Sequence, residues 1–177
     1  MYCCGAIGWT VRRAWAGLAL AALAPAVALA GPTGEQVVSG TAAVTREGPL
    51  TRIDTATPQT VINWWGGFNV GAPETVQINQ PSALSNTYNY DLSTNASRID
   101  GHLLSNGGVW IINPVGVFFG DQAIVDVGRL VAGAGKVDPA DVLAGAERFT
   151  GLTGNVEGCC WSARRWRTTA TSRRPTA

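Results

Sequence analysis

Between Val109 and Phe119 the chain reads Val-Trp-Ile-Ile, a turn at Asn113-Pro114, and then Val-Gly-Val-Phe-Phe. Two apolar runs this close together leave neither run a polar face to show to water, so each must be covered on both sides. Such covering is the habit of parallel sheets; hairpin meanders alternate instead. The runs are short and rich in β-branched and aromatic residues, which favours strands over a buried helix. Val76-Gln77-Ile78 and Val125-Asp126-Val127 do alternate, as half-buried strands should.

From Gln36 onward the same vocabulary repeats, with Gly, Pro, Asn and Asp between the runs. It predicts strands over Val37–Val44, Leu50–Ala56, Thr60–Trp65, Glu74–Asn79, Ser97–Leu104, Val109–Ile112, Val115–Phe119 and Ala123–Val131. A short helix is predicted at Pro139–Arg148, with Asp138 as its N-cap. Asn106-Gly107 is the one dipeptide with a hairpin signature between alternating runs. The apolar centres Ile62, Ile78, Ile99, Ile111 and Ile124 recur at irregular gaps, compatible with a solenoid whose turns vary in length. A β-sandwich would read similarly. A parallel solenoid would be right-handed by the crossover rule. Asn113-Pro114-Val115-Gly116 has the residue order of a type I turn, with Pro presetting φ and the Asn side chain capping amides. Set between two apolar strands, it is expected to project from the core; a tight corner without any recognition role is the plainer reading.

Charged residues are 14% of the 177, well under the ~25% of ordinary soluble domains. The net charge of +1 conceals an asymmetry: 31–157 holds six basic and twelve acidic residues, while the last twenty hold five arginines and no acid. An acidic body offers no electrostatic footprint for nucleic acid. Cysteines occur only as Cys3/Cys4 and Cys159/Cys160, so the body has no disulfide framework, zinc site or thiol nucleophile. Arg12-Arg13, the apolar run Ala14–Val27 and Ala28-Leu29-Ala30 are the three parts of a secretory signal peptide, with cleavage expected after Ala30. The run is shorter than the ~20 residues of a membrane span and is interrupted by Pro25. A cysteine-free exported body suits a chain that threads unfolded through a second pore.

Secreted β-helices include polysaccharide-cleaving enzymes, so a carbohydrate-active enzyme or carbohydrate-binding module is the alternative class. Asp54, Asp91, Asp100, Asp121 and Asp126 are the carboxylates that such chemistry would draw on, although strand-edge aspartates commonly do no more than solvate corners. His102 is the only histidine and has no partners at ligand or triad spacing. No cofactor or metal is expected. Trp64, Trp65 and Trp110 are read as core before sugar platforms.

One ordered set of motifs carries a resemblance. Asn63-Trp64, Phe68-Asn69-Val70-Gly71, Thr75-Val76 and Gln80-Pro81-Ser82 resemble the first half of a filamentous-haemagglutinin-type secretion domain. Arg98 to Leu103, Asn106 to Pro114 and Gly116 to Gly120 resemble its second half, and Ala123 to Ala132 extends the match. Asn63, Trp64, Phe68, Asn69, Gly71, Gln80, Pro81, Gly101, Asn106, Gly107 and Gly120 are the motif positions. The resemblance implies the amino-terminal domain of an adhesin or haemagglutinin-type exoprotein exported by two-partner secretion (TPS). It implies an all-β, right-handed parallel β-helix capped by extra-helical strands and no enzymatic activity. It also implies engagement by the periplasmic POTRA domains of an outer-membrane β-barrel transporter, with host-cell glycans met only through downstream repeats. The family's asparagine-proline-asparagine-glycine motif falls on Asn113, Pro114, Val115 and Gly116; Val115 departs from the second asparagine, removing one side-chain hydrogen bond. Ser85–Asn95 departs too and reads as a variable loop. If the corner is read by the transporter, Asn113→Ala should impair secretion far more than stability.

The implied organisation is a signal peptide over 1–30, a secretion domain over 31–157 and a divergent arginine-rich tail over 158–177. The β pattern stops at Gly158, and the tail supplies neither further coils nor a cap. It is therefore expected to be out of frame, and the protein a truncated member, secreted by way of the periplasm to the cell surface.

Overall fold

The computed structural model describes residues 31–144, 150–151, 153–158 and 166–168. The segment 1–30, both cysteine pairs, the end of the predicted helix at 145–148 and most of the tail lie outside these. The chain opens with β1 (Thr33–Ser39) and β2 (Ala42–Glu47), and β2 turns at Gly48-Pro49 into β3 (Leu50–Thr55). The winding then repeats. β3 is followed by β4 (Gln59–Gly67) and an isolated bridge at Val70; β5 (Thr75–Asn79) by β6 (Asn86–Asp91) and β7 (Ser97–Ile99). Next come β8 (His102–Ser105), β9 (Gly108–Ile112) and β10 (Gly116–Phe119), then β11 (Ile124–Asp126) and β12 (Arg129–Gly133). The helix α1 (Pro139–Leu143) precedes β13 (Asn155–Gly158) and β14 (Trp166–Thr168).

Equivalent strands of successive coils stack into three sheets: β4-β6-β9-β12-β14, β3-β5-β8-β11 and β7-β10-β13. Every neighbour within these stacks is parallel; Asn86 pairs with Gly108, and Gly108 with Arg129 one coil further on. This is a right-handed parallel β-helix of about three turns, its hand following from the parallel-crossover rule. β1 and β2 are its extra-helical strands. They pair antiparallel on β4 and β3 and so occupy the amino-terminal edges of two sheets that would otherwise be unpaired.

Ile53, Ile62, Trp64, Phe68, Val76, Ile78, Ile99, Leu103, Ile111 and Val117 converge from the three sheets into one apolar interior. Val61, Tyr88, Trp110 and Val131 form a second buried column on the outer face of the sheet containing β4 and β9, joined by Val137 ahead of α1. Burial on both faces of β9 is what the run Val109–Ile112 demanded.

Three predicted strands are each cut by a corner. Val37–Val44 breaks at Gly40, Ser97–Leu104 at Asp100-Gly101 and Ala123–Val131 at Val127-Gly128. In a solenoid the chain must change sheet every few residues, so a continuous apolar pattern spans two faces. For the same reason Ile62, Ile78 and Ile99 lie on three different sheets, not in one stack. Asn106-Gly107 is likewise a corner between two sheets; the hairpin is at Gly48-Pro49. The expectation of a loop over 85–95 is wrong for Asn86–Asp91, which forms β6 inside the largest sheet. Its inward residues Thr87, Asn89 and Asp91 are polar yet fully buried, and composition alone made the strand look like a loop. The helix begins where predicted, with the Ala140 amide donating to Asp138 Oδ1 at 2.8 Å.

Candidate functional site

The motif residues gather into corner columns, because each coil turns at the same three places. At the first, between the β9 and β10 sheets, Asn113-Pro114-Val115-Gly116 makes a β-turn in which the Gly116 amide donates to the Asn113 carbonyl at 3.1 Å. Asn113 Oδ1 accepts from the Val115 amide at 2.8 Å, the capping bond expected of an Asn at this turn position. Its Nδ2 donates back to the preceding coil, to the Asn95 carbonyl at 2.9 Å and Ser97 Oγ at 3.0 Å. Gly116 adopts φ of +144°, and a Cβ there would lie 2.9 Å from the Asn155 carbonyl, so the position requires glycine. Gly154 of the following coil sits directly on the Pro114 and Val115 carbonyls.

This turn therefore does not project as a whole. Asn113 is fully buried and Val115 is 47% exposed, so the sequence expectation of a protruding motif holds for one side chain. The reason is that successive corners stack, and the Asn amide is consumed by the coil before it. The column continues upward: Ser97 Oγ donates to Asp91 Oδ2 at 2.6 Å, and the same oxygen accepts the Phe68 amide at 2.8 Å. Asp91 Oδ1 takes the Ser93 amide, and Asn69 Oδ1 takes the Arg98 amide at 2.9 Å. A buried polar spine thus links three coils through Phe68, Asp91, Ser97 and Asn113. Val115 leaves its own side chain out of this network, as its departure from asparagine implied.

At the second corner Gln80 and Asn106 bond reciprocally. The Gln80 amide donates to Asn106 Oδ1 at 2.8 Å, and Asn106 Nδ2 donates to the Gln80 carbonyl at 2.7 Å. Gln80 Nε2 also donates to Ser105 Oγ and the Gly108 carbonyl, while Pro81 is exposed and Gly107 lies under Ser85 and Gln80. At the third corner Gly71, Gly101 and Gly120 recur. A Cβ on Gly101 would stand 2.1 Å from the Gly71 carbonyl and 2.4 Å from that of Glu74, both backbone atoms that cannot yield. Trp64 belongs to the interior, where its Nε1 donates to Asn89 Oδ1 at 3.1 Å and its ring meets Phe68 edge-on at 5.5 Å. Asn63, beside it on β4, is partly buried.

Sequence reasoning missed Ser97 and Asn89 and weighed Asp91 only as a carboxylate for catalysis, whereas these three side chains join neighbouring coils or corners. The strict alternation of Tyr88 and Tyr90 with Thr87, Asn89 and Asp91 was the available signal. The aspartates weighed for catalysis are dispersed: Asp91 is in the spine, Asp54 accepts from Asn79 Nδ2, and Asp100 pairs with Arg98. Asp100 and Asp121 do border one open depression, with Arg98, Phe118 and Glu157. Among the described residues no three His, Cys, Asp or Glu side chains are grouped to hold a metal. No helix there is long and apolar enough to cross a membrane.

Known proteins are similar to this chain. The chain is 33% identical to the HMW1 secretion domain from Haemophilus influenzae in its crystal structure, with a TM-score of 0.62, covering 64% of this chain and 30% of that one. It is 41% identical over 101 residues to a heme/hemopexin-binding protein of Haemophilus influenzae (strain ATCC 51907 / DSM 11121 / KW20 / Rd), covering 57% of this chain. A second heme/hemopexin-binding protein of that species is 32% identical over 89 residues, or 50% of the chain. The chain spans only 11% and 10% of the length of these two curated relatives. The model of the TPS secretion domain matches residues 28–156. With most of its length under that model and its coils shared with a solved secretion domain, the chain belongs to the TPS secretion domain family of exported exoproteins.

Proposed function

We propose that residues 31–157 are the part of this exoprotein that the POTRA domains of its partner outer-membrane transporter engage, after 1–30 has been removed at Ala30. The observation that carries the reading is the placement of Asn113-Pro114-Val115-Gly116. The motif is tied by the polar spine to two earlier coils, so this corner closes only when they are in place. In the unfolded chain the same residues are free, and there they are available to the transporter. Engagement of the open motif and its later burial are successive states of one segment, and burial of the interior at roughly 25 cal/mol per Å2 favours the second. No nucleotide hydrolysis is needed for that step.

In this reading contacts with host-cell glycans, and any adhesin or toxin role, belong to downstream repeats. The heme/hemopexin binding in the relatives' names is not carried over, because the match spans about a tenth of their length. In this reading the tail over 158–177 is out of frame, which translating the downstream DNA in the other two frames tests. The expectation that the tail supplies no further coil strand fails at Trp166–Thr168, whose backbone pairs parallel with β12 as the next strand of that sheet. The central test is export of the full chain from cells with and without the partner transporter. Folded protein should reach the medium only with the transporter, and equal amounts in both strains would overturn the proposal.

A further inference from the structure

Glu74 stands just before β5 at the corner that Gly71 opens, and it is only 3% exposed. Its Oε2 accepts the Gly71 amide, and its backbone carbonyl accepts the His102 amide of the next coil. Its Oε1 accepts from the backbone nitrogen of Gly31 at 2.9 Å. The two ion pairs among the described residues, Arg46–Glu35 and Arg98–Asp100, involve other carboxylates. A carboxylate withdrawn from water with amide donors alone is expensive, and a cation within hydrogen-bond reach offsets much of that cost.

We propose that the α-ammonium freed at Gly31 when residues 1–30 are removed is the cation Glu74 holds, so that processing itself completes the amino-terminal cap. The inference rests on the signal-peptide reading, which places the new terminus on the very nitrogen that Glu74 contacts. The site fits a terminal glycine. A Cβ on Gly31 would already lie 3.3 Å from Thr51 Oγ1 and 3.6 Å from Glu74 Oε1. The following residues are fixed independently, since Pro32 is buried and its carbonyl accepts Arg46 Nη2 at 2.8 Å. Before cleavage the same nitrogen is a neutral amide and the carboxylate lacks its counter-charge. After cleavage a charge-assisted hydrogen bond joins the start of the chain to the first coil's corner.

The test compares the precursor 1–177 with the product of its digestion by the leader-processing peptidase, each with Glu74 and with Glu74→Gln. In urea the product should be more stable than the precursor by roughly ten- to a hundredfold in the unfolding constant, the range of a hydrogen bond to a charged group. Glu74→Gln should shrink that ratio to less than about twofold. A second measurement leaves Glu74 untouched: acetylating the Gly31 amine should return the product to the precursor's stability. A third reads the amine itself. The processed chain has two amines, at Gly31 and Lys136. An acylating reagent near pH 7, close to the ordinary α-amine pKa of about 7.7–8.0, should label Gly31 several-fold more slowly in the native product than in Glu74→Gln. Equal stability of precursor and product, or equal labelling in the two variants, overturns the pairing. If the amine is protected in vitro but periplasmic protein has an intact mass starting elsewhere than Gly31, the processing reading fails and the role assigned to cleavage falls with it.

Discussion

Replacing Asn113 by Ala is the sharpest probe of the polar spine. The substitution deletes three side-chain hydrogen bonds, to Asn95, Ser97 and Val115, from a residue with no exposed surface. Ser97 keeps its bond to Asp91, and the Asn95 carbonyl is near water, so those two partners are partly compensated. The Val115 amide and the space left by the carboxamide are not. Each lost bond is worth about 1 kcal/mol net, with the buried remainder adding to it, so the expected loss is about 2–3 kcal/mol. That exceeds the ~1 kcal/mol of an exposed turn cap but is less than the ~5–15 kcal/mol total of a typical domain. The variant should therefore fold, with a melting midpoint about 6–9 °C lower at roughly 3 °C per kcal/mol for a chain of this size. Urea unfolding of the processed chain, followed by circular dichroism, measures the loss with the m-value held constant. Asn113→Asp should be worse than Asn113→Ala at neutral pH, since it brings a second carboxylate to Ser97 Oγ beside Asp91, and it should recover as acid protonates that group. A loss below about 1 kcal/mol, or an Asp variant as stable as the Ala variant, would refute the buried-spine account.

Other substitutions test other parts of the coil. Gly101→Ala drives a methyl group into two backbone carbonyls and should cost at least ~3 kcal/mol, read as loss of folded protein at 37 °C. Tyr90 is buried, and its hydroxyl has no hydrogen-bond partner among the described residues, so Tyr90→Phe should be neutral or slightly stabilising near pH 7 in urea titrations. Burial raises the Tyr90 phenol above its ordinary range, with Tyr88 and Asp138 adding to the effect. Its share of stability is present below about pH 10 and is lost as pH rises beyond that value, a loss that Tyr90→Phe should remove. Glu35 is held below the usual carboxylate range by its hydrogen bonds to Arg46, which tie β1 to β2. That contribution is present above about pH 4.3 and disappears as pH falls through the lowered value. Because the pair is solvent-exposed, Glu35→Gln should cost no more than ~1 kcal/mol at pH 7 and nothing at pH 2, by thermal melts at both.

The spine also changes what the asparagine-proline motif means. A buried Asn113 is first a joint between coils, and a secretion defect in its variants combines weakened folding with altered recognition. Val115 separates the two: it is exposed and makes no side-chain hydrogen bond, so Val115→Asn should leave the melting midpoint within about 2 °C. Any change in export by that variant then reports on recognition.

The sequence alone determined the strand vocabulary, the parallel character and the family. Val109–Ile112 had to be covered on both faces because it offers no polar side, and Asn113-Pro114 had to turn because Pro presets φ and removes a donor. The ordered motifs from Asn63 to Gly120 mark the coils in the sequence itself. Only the tertiary structure decided where one strand became two, because a corner such as Asp100-Gly101 is defined by a change of sheet and not by a change of hydropathy. It alone made a strand of Asn86–Asp91. Asn89 and Asp91 are tolerated inside because Trp64, Phe68 and Trp110 of the neighbouring coils, and Ser97 across the next corner of the same coil, supply their hydrogen bonds. It likewise turned Asn113 inward and brought Glu74 to Gly31, 43 positions away. Hydropathy is local to the chain, whereas satisfaction of a buried polar group depends on neighbours that only the winding brings together.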